Sequence, residues 1–140
     1  MNLMDWHRCE REFVRNVEKD TERIASIREQ ALLRLAMVRI LPEKETMISF
    51  IVEGLYEVIK ELLTAYLLHH GMRSQNHQCL ITFFYKKNPD YEAEANLISQ
   101  MSYYRNRLTY YGETIPKEFY EKNKNEIDKI IKLIDKLIGV

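Results

Sequence analysis

Residues 47–68, MISFIVEGLYEVIKELLTAYLL, decide the fold of this 140-residue chain. Apolar side chains recur there at helical spacing, with further apolar residues between them, which predicts a helix buried on most of its surface at the centre of the core. Four charged residues interrupt the run, namely Glu53, Glu57, Lys60 and Glu61. Each would be costly in lipid, so the segment is expected to be a buried helix of a soluble protein with no membrane span.

The composition favours an all-α protein with one core. Apolar residues make up 46% of the chain and charged residues 30%, with only four glycines and three prolines, which is typical of long helices with few turns. No sheet is expected. The net charge is zero, with 21 basic and 21 acidic residues, and this excludes indiscriminate binding to duplex nucleic acid. Any contact with nucleic acid must therefore be local.

The N-terminal part of the chain predicts a long amphipathic helix over residues 10–38, where apolar residues are spaced three and four apart. Charged residues also fall on this row, so a break at Asp20 or Thr21, either of which is able to cap a new helix, stays open. Residues 1–25 have the highest charge density and are expected to form a helical extension that prolongs the bundle or clasps a second subunit. Residues 26–140 are expected to form the bundle, within a single domain overall.

The C-terminal half predicts three further helices after the central one. The expected boundary signals are Gly71, Ser74 or Asn76, Asn88-Pro89, Asp90, Gly112, Thr114 and Pro116. The expected architecture is an antiparallel bundle of four or five helices joined by short loops.

The cysteines and histidines predict no metal site and no cofactor. Cys9 and Cys79 match no metal or redox spacing, and the N-terminus lacks an apolar signal core, so reduced thiols and a cytoplasmic location are expected. His69, His70 and His77 lie near one turn with Cys79, but they lack the spacing of helical metal ligands. No glycine-rich phosphate loop, nucleophile elbow or paired-histidine motif occurs in the chain.

Residues 104–112, YRNRLTYYG, carry the candidate functional side chains. Arg105 offers a planar fork of donors that suits phosphate or carboxylate, Asn106 offers an amide, and Tyr110 lies one helical turn beyond Asn106. Arg105 also has a purely structural interpretation, in which it pairs with a glutamate of the central helix. The candidate partners are Glu53, Glu57 and Glu61.

Six of the nine tyrosines lie between residues 85 and 111, which suggests base stacking with phosphate contacts from nearby basic residues. Tyr104 and Tyr111 are expected in the core or in a dimer interface, whereas Tyr103 and Tyr110 are expected to be exposed. Besides Arg105, the candidate ligand-binding residues are Arg73, Lys86, Tyr103 and Arg107.

Two local patterns, in this order along the chain, resemble the HEPN family (higher eukaryotes and prokaryotes nucleotide-binding). Residues 55–68, LYEVIKELLTAYLL, with the glycine and polar SQNH stretch at 71–77, resemble the long second helix of that family and the start of its third. Arg105 and Asn106 match the family signature of an arginine followed by a polar residue. The signature continues with a histidine five positions after the arginine, and Tyr110 occupies that position here.

The resemblance, which covers about residues 30–138, implies a HEPN-like bundle that forms a homodimer with the fourth helix near its axis. Active family members cleave RNA without a metal, using the arginine and the histidine of two subunits. A phenol, with an ordinary pKa near ~10, does not titrate near neutral pH as an imidazole does. The resemblance with Tyr110 therefore favours a binding or regulatory protein, directed at RNA or a nucleotide, with a degenerate nuclease motif. It also implies a partner nucleotidyltransferase or a place in a toxin–antitoxin pair.

Two alternatives stay open. The first is a metal-independent endoribonuclease at a dimer interface, in which Arg105 stabilises the phosphorane charge, Asn106 orients the phosphate and Tyr110 acts as the acid. The second is a purely structural dimerisation module, in which the fourth helix forms the dimer seam and Arg105 is paired within it.

Overall fold

The computed structural model describes residues 2–139, which form six helices and one small antiparallel sheet. The helices are α1 (Trp6–Glu12), α2 (Thr21–Ile40), α3 (Ile48–His69), α4 (His77–Lys87), α5 (Glu92–Tyr111) and α6 (Lys117–Ile138), and the strands are β1 (Val14–Asn16) and β2 (Met72–Ser74). A 3-10 turn, Pro89–Tyr91, precedes α5. Helices dominate the fold, in agreement with the predicted class, but the sheet was not expected.

The predicted central position of α3 is confirmed. This helix packs against α2, α4, α5 and α6, and 14 of its 22 residues are buried, so only a narrow strip of it reaches solvent. α2 approaches closely at Gly54, where an added Cβ would lie 2.5 Å from a methyl carbon of Val38. Among the described residues, no helix is both long and apolar enough to cross a membrane.

The helix expected over residues 10–38 is interrupted, and of the two positions left open for a break, Asp20 is the cap that the structure shows. The Asp20 carboxylate accepts a hydrogen bond of 3.0 Å from the backbone N–H of Arg23 and so begins α2. Upstream, β1 pairs with β2 in a register that places Arg15 opposite Arg73. Residue 71 is a glycine with φ +73°, a conformation that other residues rarely adopt, and it turns the chain from α3 into β2.

The prediction of reduced thiols is wrong, because a disulfide joins Cys9 to Cys79 with their Cα atoms 5.7 Å apart. Nearby, the ring centre of Trp6 lies 5.2 Å from the ring centre of Phe83. The hydroxyl of Thr82 donates a hydrogen bond of 2.8 Å to the backbone carbonyl of Met4. The N-terminal segment is therefore held on α4 of its own chain by covalent, apolar and polar contacts.

The predicted cap at Asp90 is also wrong. Asp90 lies inside the 3-10 turn, and α5 starts after Tyr91 without a side-chain cap. Two other predicted helix boundaries, at Asn76 and Gly112, are confirmed. Asn76 accepts a hydrogen bond of 3.1 Å from the N–H of Cys79 and begins α4, and Gly112 ends α5 with φ +65°.

Candidate functional site

Arg105 lies on α5, and its side chain contacts α3. One turn before it, the Ser102 hydroxyl is 3.3 Å from that of Tyr56. The guanidinium Nη2 of Arg105 lies 3.5 Å from the Glu57 carboxylate, and only 20% of the Arg105 side chain is exposed. The ion pair of the structural interpretation is thus confirmed, with Glu57 as the partner among the three candidates.

Glu57 is shared between two cations. Its second oxygen lies 2.7 Å from the Lys60 ammonium, while the first faces Arg105. Both cationic side chains are largely shielded from solvent, at 23% and 20% exposure. One carboxylate therefore compensates two positive charges, and one positive charge is left over in a half-buried position.

His77, in the first turn of α4, lies near this group, with its ring centre 6.3 Å from that of Tyr56, the residue before Glu57. Burial lowers its pKa most, and the positive charges of Lys60 and Arg105 lower it further, against an opposing effect of Glu57. The neutral form of its imidazole therefore predominates at pH 7. We refer to Glu57, Lys60, His77 and Arg105 as the Arg105 cluster.

The hydrogen-bonding capacity of Arg105 is not saturated. Nη1 donates to the side-chain oxygen of Asn106 at 3.3 Å, whereas Nε is buried and has no partner among the described residues. An unpaired buried donor costs about 1–3 kcal/mol, so such groups in native structures call for a specific explanation. A ligand or a water molecule that engages this guanidinium would remove part of that cost.

A second arrangement lies on the exposed side of α5. The guanidinium carbon of Arg107 lies 4.5 Å from the ring centre of Tyr111 and 5.9 Å from that of Tyr103, since the three residues are four apart on one helix face. Arg107 also forms a bidentate ion pair with Glu113, and this pairing lowers the pKa of the Glu113 carboxyl. We call Tyr103, Arg107 and Tyr111 the tyrosine–arginine stack. The positive charge of this stack is neutralised by Glu113 of the same chain.

The tyrosine predictions are partly confirmed. Tyr103 and Tyr110 are exposed, as expected, at 59% and 71%. Tyr104 packs against the core, with its ring 4.6 Å from that of Phe119. Tyr111 does not lie in the core, because 69% of it is exposed, and its expected place in a dimer interface stays a prediction.

The structure does not bring all the predicted site residues together. Arg105 and Tyr110 are five positions apart on α5 and point about 140° apart around the helix, so Asn106 and Tyr110 share an exposed row that Arg105 does not join. Arg73 lies in β2, before the first turn of α4, and Lys86 lies in the last turn of that helix. Neither belongs to the tyrosine–arginine stack.

Sequence reasoning missed His77 and Lys60 as neighbours of Arg105. The sequence did place His77 directly after the helix cap Asn76, in the first turn of α4. That position does not tell which other helix the first turn faces. Comparison of the chain with protein-family models, with curated proteins and with solved structures finds no match in any of the three. The HEPN resemblance accordingly rests on the residue patterns.

Proposed function

We propose that this protein is an RNA- or nucleotide-binding regulatory protein of HEPN-like type with a degenerate nuclease motif. The observation that carries the proposal is the sharing of Glu57 by Lys60 and Arg105, which leaves one positive charge uncompensated. A cation shielded from water attracts an anion more strongly than one in bulk solvent. An arginine beside a lysine suits a phosphate group in particular, because both donate charge-assisted hydrogen bonds.

The exposed row next to the cluster supports the same proposal. Asn106 contacts Arg105 and offers an amide, and Tyr110, one turn further on, offers an exposed ring on which a base is able to stack. Tyr110 holds the position of the signature histidine without its titration near neutral pH. Binding therefore fits this row better than cleavage.

The proposal includes a homodimer. The outer side of α2 exposes an apolar stripe at positions four and three residues apart, formed by Leu33, Met37 and Ile40. A second copy of the chain would cover this stripe, which lies on α2 and not on α5, the helix that the resemblance places near the dimer axis. Ile40→Glu should then lower the mass measured by light scattering from that of a dimer to that of a monomer, whereas a dimer formed across α5 should keep its mass. A partner nucleotidyltransferase and a toxin–antitoxin role follow from the resemblance alone. The cytoplasmic location expected from the sequence rested on reduced thiols, and the disulfide counts against it, since the cytosol keeps thiols reduced.

Binding of a fluorescein-labelled oligouridine, followed by anisotropy, tests the phosphate-binding role. Lys60→Gln keeps the Arg105–Glu57 pair but removes the surplus charge, and it should weaken binding about 10- to 100-fold, since a hydrogen bond to a charged group contributes about 1.5–3 kcal/mol. Arg105→Gln should do the same. Arg39→Gln serves as the control, because Arg39 pairs with Asp128 on another face. Equal affinity for all four proteins would contradict the proposal.

A specific observation favours a second candidate function, a metal-independent endoribonuclease that uses His77. The ring centre of His77 lies 6.3 Å from that of Tyr56, the residue before Glu57, and burial favours its neutral form. A neutral imidazole is a proton acceptor near neutral pH, which Tyr110 is not. RNA is incubated in the presence of a chelator with the wild type, His77→Ala, Arg105→Ala and Tyr110→His. Cleavage by the wild type that is lost in His77→Ala establishes this nuclease, and cleavage by Tyr110→His alone establishes a degenerate one.

The purely structural alternative makes a different prediction. If Arg105 serves only the dimer, Arg105→Ala lowers the stability of the dimer, and neither RNA nor a nucleotide shifts the melting temperature of the wild type.

A further inference from the structure

A second basic site lies between the N-terminal segment and β2. It is a groove of about 550 Å³, and the basic side chains that line it are those of Arg11, Arg15 and Arg73. We call this site the arginine groove. It lies outside the Arg105 cluster and brings together residues that are about sixty positions apart in the sequence.

The pairing of the two strands forces two of these arginines together. Arg15 and Arg73 are direct partners in the antiparallel register of β1 and β2. Direct partners project to the same face of a sheet with their Cβ atoms about 5 Å apart, and like charges in this position repel each other. The chain thus tolerates an unfavourable contact at this place although it contains as many acidic as basic residues.

Nearby acids do not relieve the repulsion. Among residues 2–139, neither Arg15 nor Arg73 forms an ion pair. Arg11 lies 3.5 Å from Glu12, which also lines the groove, but that carboxylate is also bound by Arg8 at 2.8 Å. The groove consequently carries an excess of positive charge.

The groove is held in shape by the chain itself. Cys9, shortly before Arg11, is joined by the disulfide to Cys79, shortly after Arg73, so a covalent link lies beside both walls. Asn76, the cap of the eleven-residue helix α4, also lines the groove, and this places the positive end of the helix dipole next to the arginines. A site whose walls are fixed before binding loses less entropy when an anion enters.

We propose that the arginine groove binds the phosphate backbone of single-stranded RNA, as a second contact for the ligand of the proposed function, on which this inference rests. Guanidinium groups form paired hydrogen bonds with phosphate oxygens. Phe13 lines the same groove and is 36% exposed, so it supplies a ring on which a base stacks. This combination of arginines and an aromatic ring favours RNA over an acidic peptide.

Anisotropy with fluorescein-labelled oligouridine over a series of salt concentrations tests the inference. The variant is Arg15→Gln/Arg73→Gln, and its control is Arg39→Gln/Lys132→Gln, which loses the same charge on other faces of the molecule. The variant should lower the slope of log affinity against log salt by about 1.4, since each phosphate contact with a single strand contributes about 0.7. Its melting temperature should not fall, because the substitutions remove a repulsion.

Three results would overturn the inference: wild-type binding by the variant, an equal loss in the charge-matched control, and displacement of RNA by polyglutamate as effectively as by unlabelled RNA. Arg105→Gln, measured in the same series, separates this inference from the proposed function. If Arg105→Gln weakens binding and the Arg15/Arg73 variant does not, the inference alone fails. If only the Arg15/Arg73 variant weakens binding, the arginine groove stands and the Arg105 cluster is not the RNA site.

Discussion

Removal of the Cys9–Cys79 disulfide should strongly destabilise the fold. The bond closes a loop with a sequence separation of 70 residues that contains β1, α2, α3 and β2. Reduction of the wild type and the double substitution Cys9→Ala/Cys79→Ala both open this loop. The contacts that remain between the N-terminal segment and the bundle are then only noncovalent, chiefly the Trp6–Phe83 packing and the β1–β2 ladder.

The expected magnitude follows from the length of the loop. The chain-entropy relation gives about 4.4 kcal/mol for a loop of this length, and measured values for disulfides are typically about 2–4 kcal/mol. The unfolding entropy of a 140-residue chain, at about 2.1 cal/mol/K per residue, converts a loss of about 4 kcal/mol into a fall in melting temperature of ~14 °C. Residual structure in the reduced unfolded chain would make the fall smaller.

Circular dichroism at 222 nm, recorded during heating with and without reductant, measures the effect. The Cys9→Ala/Cys79→Ala variant is the control for the reductant itself, and its melting temperature should be the same in both conditions and close to that of the reduced wild type. Thiols are counted in the unreduced, denatured protein. Two free thiols in that count, or oxidised and reduced wild-type proteins that melt at the same temperature, would refute the reasoning.

Three further predictions concern packing and protonation. Gly54→Ala should destabilise the protein by about 1–2 kcal/mol in urea unfolding, because the clash with Val38 outweighs the gain in helix propensity, and Val38→Ala should restore stability in the double variant. His77 should titrate below its ordinary value in NMR spectra, and Lys60→Gln should raise its pKa. Since its folded-state pKa is lowered, its contribution to stability is present above pH ~6.5 and is lost as the pH falls through the folded-state value. Burial and a hydrogen bond to a carboxylate raise the pKa of Tyr120 to about 12, and burial also raises the pKa of Tyr56. Ultraviolet titration should therefore show late-titrating tyrosines, one of which is missing in Tyr120→Phe, and the contribution of Tyr120 to stability should be lost as the pH rises from ~10 towards about 12.

The elements that the sequence predicted well are those with local causes. The apolar pattern of residues 47–68 gives α3 without reference to the rest of the chain, and the caps at Asp20, Asn76 and Gly112 act within one helical turn. Asp90 is not a cap, because its own preference for a helix start competes with the preference of Pro89 for a tight turn. Pro89 favours a tight turn, and the chain forms a 3-10 turn there before α5 begins.

The features that the sequence did not predict depend on distant contacts. β1 and β2 have three residues each, too few to show a strand pattern, and they are more than fifty positions apart. The disulfide has no recognisable spacing, because its cysteines meet only after α1 has folded against α4. The same limit applies to the candidate site. The sequence offers three glutamates to Arg105, and only the position of α5 along α3 selects Glu57.

The first turn of α4 links the two basic sites. Asn76 lines the arginine groove, His77 belongs to the Arg105 cluster, and Cys79 anchors the same turn to the N-terminal segment. A shift of this turn would therefore change the two sites together. Reduction of the disulfide should weaken RNA binding even at temperatures where the protein stays folded, and the loss should be smaller in Arg15→Gln/Arg73→Gln, whose groove no longer contributes. An equal loss in both proteins would show that the disulfide stabilises the fold without positioning the arginine groove.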